Sequence, residues 1–269
     1  MAVPAEFHTN DGPPIALVTG GARRIGAGFA RALAGRGWRA AIHVNRSRDD
    51  AVRLAADLEA AGAPAPLVIA GDLSDPEVPA RLVAQCGPAL RLLVNNASLF
   101  EEDGLCDVTP TSWARHMDVN LRAPALLIQA FARALPPGAR GLIVNILDAK
   151  LEAMNPDFFS YTVSKVGLAG VTEMAARALA PAIRVNGISP AITLTWDPEG
   201  EARGDPVSMA RFERAHRRNP LGRGVSVEDL ASALLWLAET PTVTGQLLTL
   251  DAGQRFLALP RDVSHMVED

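Results

Sequence analysis

A chain of 269 residues with 26 basic and 30 acidic side chains has a net charge of −4, which excludes the basic surface that broad nucleic-acid binding requires. Hydrophobic residues make up 48% and charged residues 21%, the balance of a globular chain that buries a core without disulfides or a structural metal. Cys86 and Cys106 form no disulfide framework, no apolar run reaches the ~18 residues of a membrane span, and the opening MAVPAEFHTNDGPP lacks the basic and apolar regions of a secretory signal, so a cytoplasmic protein is expected.

Residues 1–14 read as a flexible leader, and 15–269 as a single domain. Short apolar runs at 15–19, 40–44, 67–70, 91–95, 141–145, 183–189 and 246–250 have the character of buried strands. Helical patterns lie between them, near 24–36, 49–61, 76–86, 111–135, 159–180 and 226–239. Continuous apolar strands alternating with helices predict an α/β fold: one Rossmann-type, doubly wound parallel sheet of about seven strands with helices on both faces. The irregular stretch 190–224 is too long for a simple connection and follows a strand end, so it is expected to be a substrate lid. Its basic residues Arg211, Arg214, His216, Arg217 and Arg218 fit a solvated helix face balanced by Glu199, Glu201 and Glu213 better than an anion trap. Beyond Gly253 the chain turns from apolar to polar, and is expected to pack on another subunit or to fray.

The first strand runs into Thr19-Gly20-Gly21-Ala22-Arg23-Arg24-Ile25-Gly26. A strand leading through glycines into a helix N-terminus suits a pyrophosphate, because small residues admit the anion and free N–H groups bind it. An ordinary tight turn would look the same; position at the first strand and first helix favours the dinucleotide. After the second strand comes His43-Val44-Asn45-Arg46-Ser47-Arg48, with no carboxylate to bind ribose hydroxyls. Arg46 and Ser47 offer a guanidinium and a hydroxyl to a 2′-phosphate, with Arg24 in reach to assist, which predicts NADP(H). The alternative for Ser47 is a plain helix cap.

Tyr161, the only tyrosine, stands four residues before Lys165 at the start of a predicted helix, so both side chains share a face. A nearby ammonium would stabilise a phenolate and lower the tyrosine pKa, making it a proton donor or acceptor.

From about Ile15 to Phe256 the chain resembles the short-chain dehydrogenase/reductase family. The resemblance rests on Thr19-Gly20…Gly26, Asp72-Leu73, Asn95-Asn96-Ala97, Asn120, Tyr161…Lys165 and Arg184-Val185-Asn186…Pro190. It implies that Tyr161 transfers the substrate proton, that Lys165 binds the nicotinamide ribose, and that Asn120 holds a water of the proton relay. It also implies a cofactor cleft formed by Gly20, Arg24, Ile25, Gly26, Asn45, Arg46, Ser47, Asp72, Leu73, Asn95, Asn96, Ala97 and Pro190, with Asp72 and Leu73 at the adenine.

Two departures from the common pattern are specific. Arg24 replaces the middle glycine of the turn, and Asp148 stands where the catalytic serine is usual, thirteen residues before Tyr161. Both resemble the pteridine reductases, as do Arg46-Ser47 and the Asn95-Asn96-Ala97-Ser98 turn followed by Phe100. That branch implies a pterin ring between Phe100 and the nicotinamide, Arg24 and Ser98 bonded to pterin and cofactor phosphates, and Asp148 with Tyr161 at the pterin edge. A carboxylate can accept from the donor groups of an aminopterin, whereas beside a ketone it would oppose the developing oxyanion. Dihydromonapterin and dihydrofolate reductases of the family share the aspartate, and Ala191–Trp196 departs from the branch's glycine-containing turn.

The expectation is therefore an NADPH-dependent reductase of a dihydropterin, dihydromonapterin or dihydrofolate. The alternatives are a general carbonyl or 3-oxoacyl-thioester reductase and, in another class, a non-catalytic NADP(H)-binding regulator, against which Tyr161, Lys165 and Asn120 together speak. The family implies a homotetramer, or a dimer, with interfaces near 111–135 and 159–180. The five histidines have no ligand spacing, and neither a metal nor a nucleic-acid or membrane partner is expected.

Overall fold

Alternate residues of the apolar runs point to opposite sides of one sheet, which is why the runs contain almost no polar positions. In a computed structural model that describes residues 2–9, 12–194 and 205–266, the strands are β1 (Ile15–Val18), β2 (Arg39–Val44), β3 (Leu67–Ala70), β4 (Leu90–Asn95), β5 (Gly141–Ile146), β6 (Ile183–Pro190) and β7 (Leu247–Leu250). Their order is β3-β2-β1-β4-β5-β6-β7, with every pairing parallel. Ala16, Val18, Leu92, Val94, Leu142 and Val144 enter one core. Ile15, Leu17, Leu93, Ile143, Ile183 and Val185 enter the other.

The helices are α1 (Arg24–Ala34), α2 (Arg48–Ala60), α3 (Val78–Cys86), α4 (Pro110–Met117), α5 (Ala123–Ala134), α6 (Phe159–Leu179), α7 (Pro206–His216) and α8 (Val227–Glu239). Phe29 and Leu33 of α1 meet Leu230, Leu234 and Leu237 of α8 over one face. Leu82 of α3, Leu127 and Phe131 of α5 and Ala176 of α6 cover the other. Each large side chain so buried contributes about 1.5–3 kcal/mol of transfer free energy. The chain steps from β1 outward to β3, then returns to lay β4 on the other side of β1. A crevice opens where the order reverses, beyond the carboxyl ends of β1 and β4.

Three expectations about order are corrected. The leader is no loose end, because Phe7 is fully buried against Trp38, ring centres 5.2 Å apart, and Arg184 Nη2 donates to Glu6 Oε1 at 3.2 Å. The stretch 190–224 contains a true helix, α7: Asp205 caps it by accepting from the amides of Val207 (3.3 Å) and Ser208 (3.1 Å), and Pro206 fits its first turn. Residues 195–204, including Trp196, lie outside the described residues. The tail does not fray at 259–266; it folds back on its own chain and buries Val263 and Ser264.

The helix expected at 111–135 is interrupted by a π-helical turn at Asp118–Arg122. Pro124 has no N–H to give the carbonyl four residues earlier, that of Asn120, so the regular ladder cannot run through.

Candidate active site

The glycine turn is shaped for close approach. A Cβ on Gly26 would lie 2.2 Å from the Gly20 carbonyl oxygen and 2.7 Å from Asn96 Nδ2, and Gly20 has φ +61°. Thr19 ties the turn to the end of β4, its hydroxyl accepting from the amides of Asn96 (2.9 Å) and Ala97 (3.0 Å), while Asn96 Nδ2 donates to the Thr19 carbonyl at 2.8 Å. His43 fastens the other side. The Gly20 amide donates to His43 Nδ1 (3.3 Å) and His43 Nε2–H donates to the Gly71 carbonyl (3.0 Å), while burial lowers the imidazole pKa and keeps the ring neutral. Reasoning from sequence missed His43; its signal was a lone polar residue inside an apolar strand.

Below the turn lies a cavity of about 530 Å³ bounded by Gly20, Asn45, Arg46, Ser47, Asp72 and Leu73, with Ala97 and Ser98 on its inner side. Ser47 heads α2 but makes no capping bond, so its hydroxyl is not consumed by the helix. Asp72 is held below the usual carboxylate range first by the amide and hydroxyl of Ser74, then by the Asn45 side chain and the charge of Arg46. A guanidinium and a hydroxyl beside a capped carboxylate fit the phosphorylated ribose end of a dinucleotide, with the glycine turn at its pyrophosphate.

A second cavity, about 680 Å³, continues from Arg24, Ile25, Asn96 and Ser98 to Phe100, Asp148, Tyr161, Lys165 and Pro190. At its base Tyr161 Oη donates to Asp148 Oδ2 at 2.7 Å, and the Lys150 amide donates to Asp148 Oδ1 at 2.8 Å. Burial pushes the Asp148 carboxyl above its ordinary range, although both hydrogen bonds and the charges of Lys150 and Lys165 oppose it. Lys165 Nζ donates to the Ile146 carbonyl (2.8 Å) and lies 5.6 Å from the Tyr161 ring centre; burial pushes its pKa down to about 8. The expected lowering of the Tyr161 pKa is therefore corrected. Burial, then the Asp148 charge, raises the phenol well above 10, because its proton is committed to the carboxylate and the ammonium is bonded elsewhere.

Phe100 stacks on Phe158 (centres 4.2 Å apart, 20°) and meets the Tyr161 ring edge-on (4.7 Å, 85°). Its loop is anchored to the start of α6 by a buried polar chain that the sequence did not disclose. Asp103 Oδ1 accepts from the Ser160 amide (2.9 Å) and Oδ2 from its hydroxyl, while His116 Nδ1 lies 2.6 Å from Ser160 Oγ. The Glu101 amide donates to His116 Nε2 at 3.2 Å, so the ring proton sits on Nδ1 and is given to Ser160. Burial pushes Asp103 up, but the bonds from Ser160, with smaller help from Ser112 and His116, together hold it below the usual carboxylate range at a helix N-terminus. Arg24 (φ +53°) and Phe158 (φ +55°) both adopt the left-handed region and both line this cavity, a strain of order 1–3 kcal/mol each that surrounding bonds must hold.

Asn95 differs from expectation, and the side chain of Asn120 is fully engaged within the protein. Asn95 does not reach the cleft: buried at the end of β4, its Nδ2 donates to Asn145 Oδ1 at 2.8 Å, and it borders neither cavity. Asn120 is buried with all four side-chain positions filled. Its Nδ2 donates to Leu99 O (2.9 Å) and Ser164 Oγ (3.1 Å), and its Oδ1 accepts from Leu99 N (2.8 Å) and Ser98 Oγ (3.3 Å). No side-chain position remains for a water, which leaves to a relay the backbone carbonyl that Pro124 cannot serve.

Sheet order and glycine cleft define a dinucleotide-binding α/β protein. A family model described as enoyl-(acyl carrier protein) reductase matches residues 20–255. Pteridine reductase 1 of Leishmania tarentolae is 31% identical, covering 91% of this chain and 97% of that protein. Among solved structures, FolM alternative dihydrofolate reductase 1 from Brucella canis, complexed with NADP, superposes with a TM-score of 0.80 at 39% identity over 90% of this chain and 94% of that one. Its Brucella suis counterpart, also with NADP, gives 0.82 at 39% over 91% and 95%. The chain belongs to the short-chain dehydrogenase/reductase family, in its pteridine reductase-like branch.

Proposed function

We propose that the protein is an NADPH-dependent reductase of a pterin-type substrate: a dihydropterin, dihydromonapterin or dihydrofolate. The observation that carries this reading is the 2.7 Å bond between Tyr161 and Asp148 at the base of a cavity walled by Phe100. The likeness to a pteridine reductase and to alternative dihydrofolate reductases supports it, as does the NADP those Brucella structures hold.

Bound NADPH supplies a hydride to a ring carbon. The adjacent ring nitrogen must then gain a proton, and the buried pair can yield one in two ways. Taking it from Tyr161 while Asp148 is ionised would leave two adjacent anions, which the burial of Tyr161 and their mutual repulsion both oppose. Taking it when Asp148 is protonated leaves one anion with two donors. The second is the easier route, and the raised pKa of Asp148 serves it. Tyr161 then orients the carboxyl and passes the proton, Lys165 holds the cofactor ribose, and Phe100 stacks on the pterin. Arg24 and Ser98 bond pterin and phosphate, while Arg46 and Ser47 take the 2′-phosphate. Thr193, Leu194 and Arg211 border the same cavity, which supports a lid role for the stretch around them.

The test is NADPH oxidation with dihydrobiopterin, dihydromonapterin and dihydrofolate. No turnover with any of them, beside rapid turnover of a β-ketoacyl thioester, would sink the reading. We also propose a homotetramer, or a dimer, because Trp113 on α4 and Val166 and Met174 on α6 leave apolar surface exposed on the expected faces; a monomer by light scattering would overturn that. Free thiols at Cys86 and Cys106 support a reducing compartment such as the cytoplasm.

A further inference from the structure

Lys150 lies two residues beyond Asp148, and it joins the site to the C-terminal strap. Its amide holds Asp148 Oδ1. Its ammonium, 11% exposed, donates to Asp262 Oδ2 (2.9 Å) and to the Asp157 carbonyl (2.9 Å), and stands 5.0 Å from the centre of the Phe158 ring. Asp262, 13% exposed, is fixed in turn: its Oδ1 accepts from the amide (3.0 Å) and hydroxyl (2.7 Å) of Ser264, and its own amide donates to Asp157 Oδ2 at 2.7 Å. Arg261 closes the clamp through Nε, 2.8 and 2.9 Å from the two oxygens of Asp157. Opposite charges almost out of water thus line the same cavity as the proton-bearing pair.

We propose that the Lys150–Asp262 ion pair is a positioning device for Asp148 and Tyr161, through which the C-terminal strap sets the pH range in which their proton is available. The proposal rests on the assignment of proton delivery to those two residues. The Lys150 charge favours the ionised form of Asp148, and the Asp262 charge favours the protonated phenol of Tyr161. Paired, their fields oppose one another, and Asp148 keeps the raised affinity for a proton that burial gives it. Other charged or titratable groups around the two acids are Lys165 from α6, His116 from α4, Arg24 from the glycine turn, Glu102 from the Phe100 loop, and His265 and Arg261 from the strap.

The discriminating experiment is the pH profile of kcat/KM for dihydropterin reduction in Lys150→Met, Asp262→Asn, the double variant and Lys150→Arg, on the full chain. Opposite displacements are expected. Lys150→Met moves the alkaline limb to higher pH, Asp262→Asn moves it to lower pH, the double variant returns toward wild type, and Lys150→Arg stays near it. A purely mechanical clamp would lower activity without moving the limb, and unmoved limbs, or limbs moved in one direction by both single variants, would overturn the proposal. Carboxyl ¹³C titration of Asp148 in the ligand-free protein reads the same displacements without substrate. Failure to reduce any pterin would therefore count against the proposed function alone. If Lys150→Met does not fold, an Asp262→Asn titration that matches wild type is sufficient to reject the device.

Discussion

Tyr161 donates its hydroxyl proton to Asp148 across 2.7 Å, so the two acids of the site are one hydrogen-bonded unit rather than two independent groups. Such a pair titrates jointly, and its proton affinity is set by burial and neighbouring charge. Reduction that draws on protonated Asp148 should fall as pH rises through the raised pKa of that carboxyl. Tyr161→Phe removes the bonding partner and should lower kcat by about 10²–10⁴-fold, with NADPH binding retained in a fluorescence titration. A pH-independent kcat/KM, or a fully active phenylalanine variant, would refute the shared-proton assignment.

The same burial has a consequence for stability. The folded pKa of Asp148 lies above the unfolded one, so the protonated form is favoured by folding. Its contribution is fully present below the ordinary carboxylate range and is lost as pH rises through the raised folded value. Asp148→Asn keeps the shape and removes the charge. Its Tm should exceed that of wild type at neutral pH, and the difference should shrink in acid. Thermal melts at a series of pH values decide this; parallel curves for the two proteins would contradict it.

What could be read in the sequence was what depends on local pattern. The seven strands follow from alternation of Ala16 and Val18 with Ile15 and Leu17, and the crevice follows from the glycines after β1. Asp148 was legible through the family resemblance, whose pattern fixes a position thirteen residues before Tyr161 in the same chain. Contacts between distant segments were not. Nothing in Asp103, Ser160 and His116 as letters says that they join, 57 and 44 residues apart. The direction of the Tyr161 shift was not legible either, because it follows from burial first and the Asp148 charge second, while Lys165 is bonded to the Ile146 carbonyl.

Phe7 shows the price of that blindness at the leader. Its ring is fully buried with Trp38 in the core beneath α1 and α8. Phe7→Ala should destabilise the protein by about 3–5 kcal/mol, the usual range for emptying a buried aromatic site. Urea unfolding monitored by tryptophan fluorescence would measure it. A variant as stable as wild type would restore the leader to a loose end.

Arg46 and Ser47 border the nucleotide cavity, where the nearby Asp72 carboxylate is already bonded by the amide and hydroxyl of Ser74. A charge-assisted bond to the 2′-phosphate is worth roughly 1.5–3 kcal/mol. Arg46→Ala should therefore cost about 10- to 150-fold in kcat/KM for NADPH while leaving that for NADH nearly unchanged. Equal losses with both cofactors would mean that Arg46 supports the loop rather than reading the phosphate.

Phe100 combines two properties that rarely meet in one side chain. It is 48% exposed, yet one face is covered by Phe158 and its ring abuts Tyr161. The covered face fixes the ring plane, and the Asp103–Ser160 bonds fix the loop that carries it, so a flat substrate would meet an aromatic surface already oriented. Aromatic stacking adds about 0.5–1.5 kcal/mol beyond area burial. Phe100→Ala should then raise KM for a dihydropterin roughly 2- to 13-fold by that contribution, with KM for NADPH unaltered and kcat reduced less. Phe100→Tyr should keep most of the affinity, because the stacking face survives. Steady-state kinetics with both substrates varied would separate the cases: a fall in kcat with KM unchanged would place Phe100 behind Tyr161 as packing, rather than against the substrate.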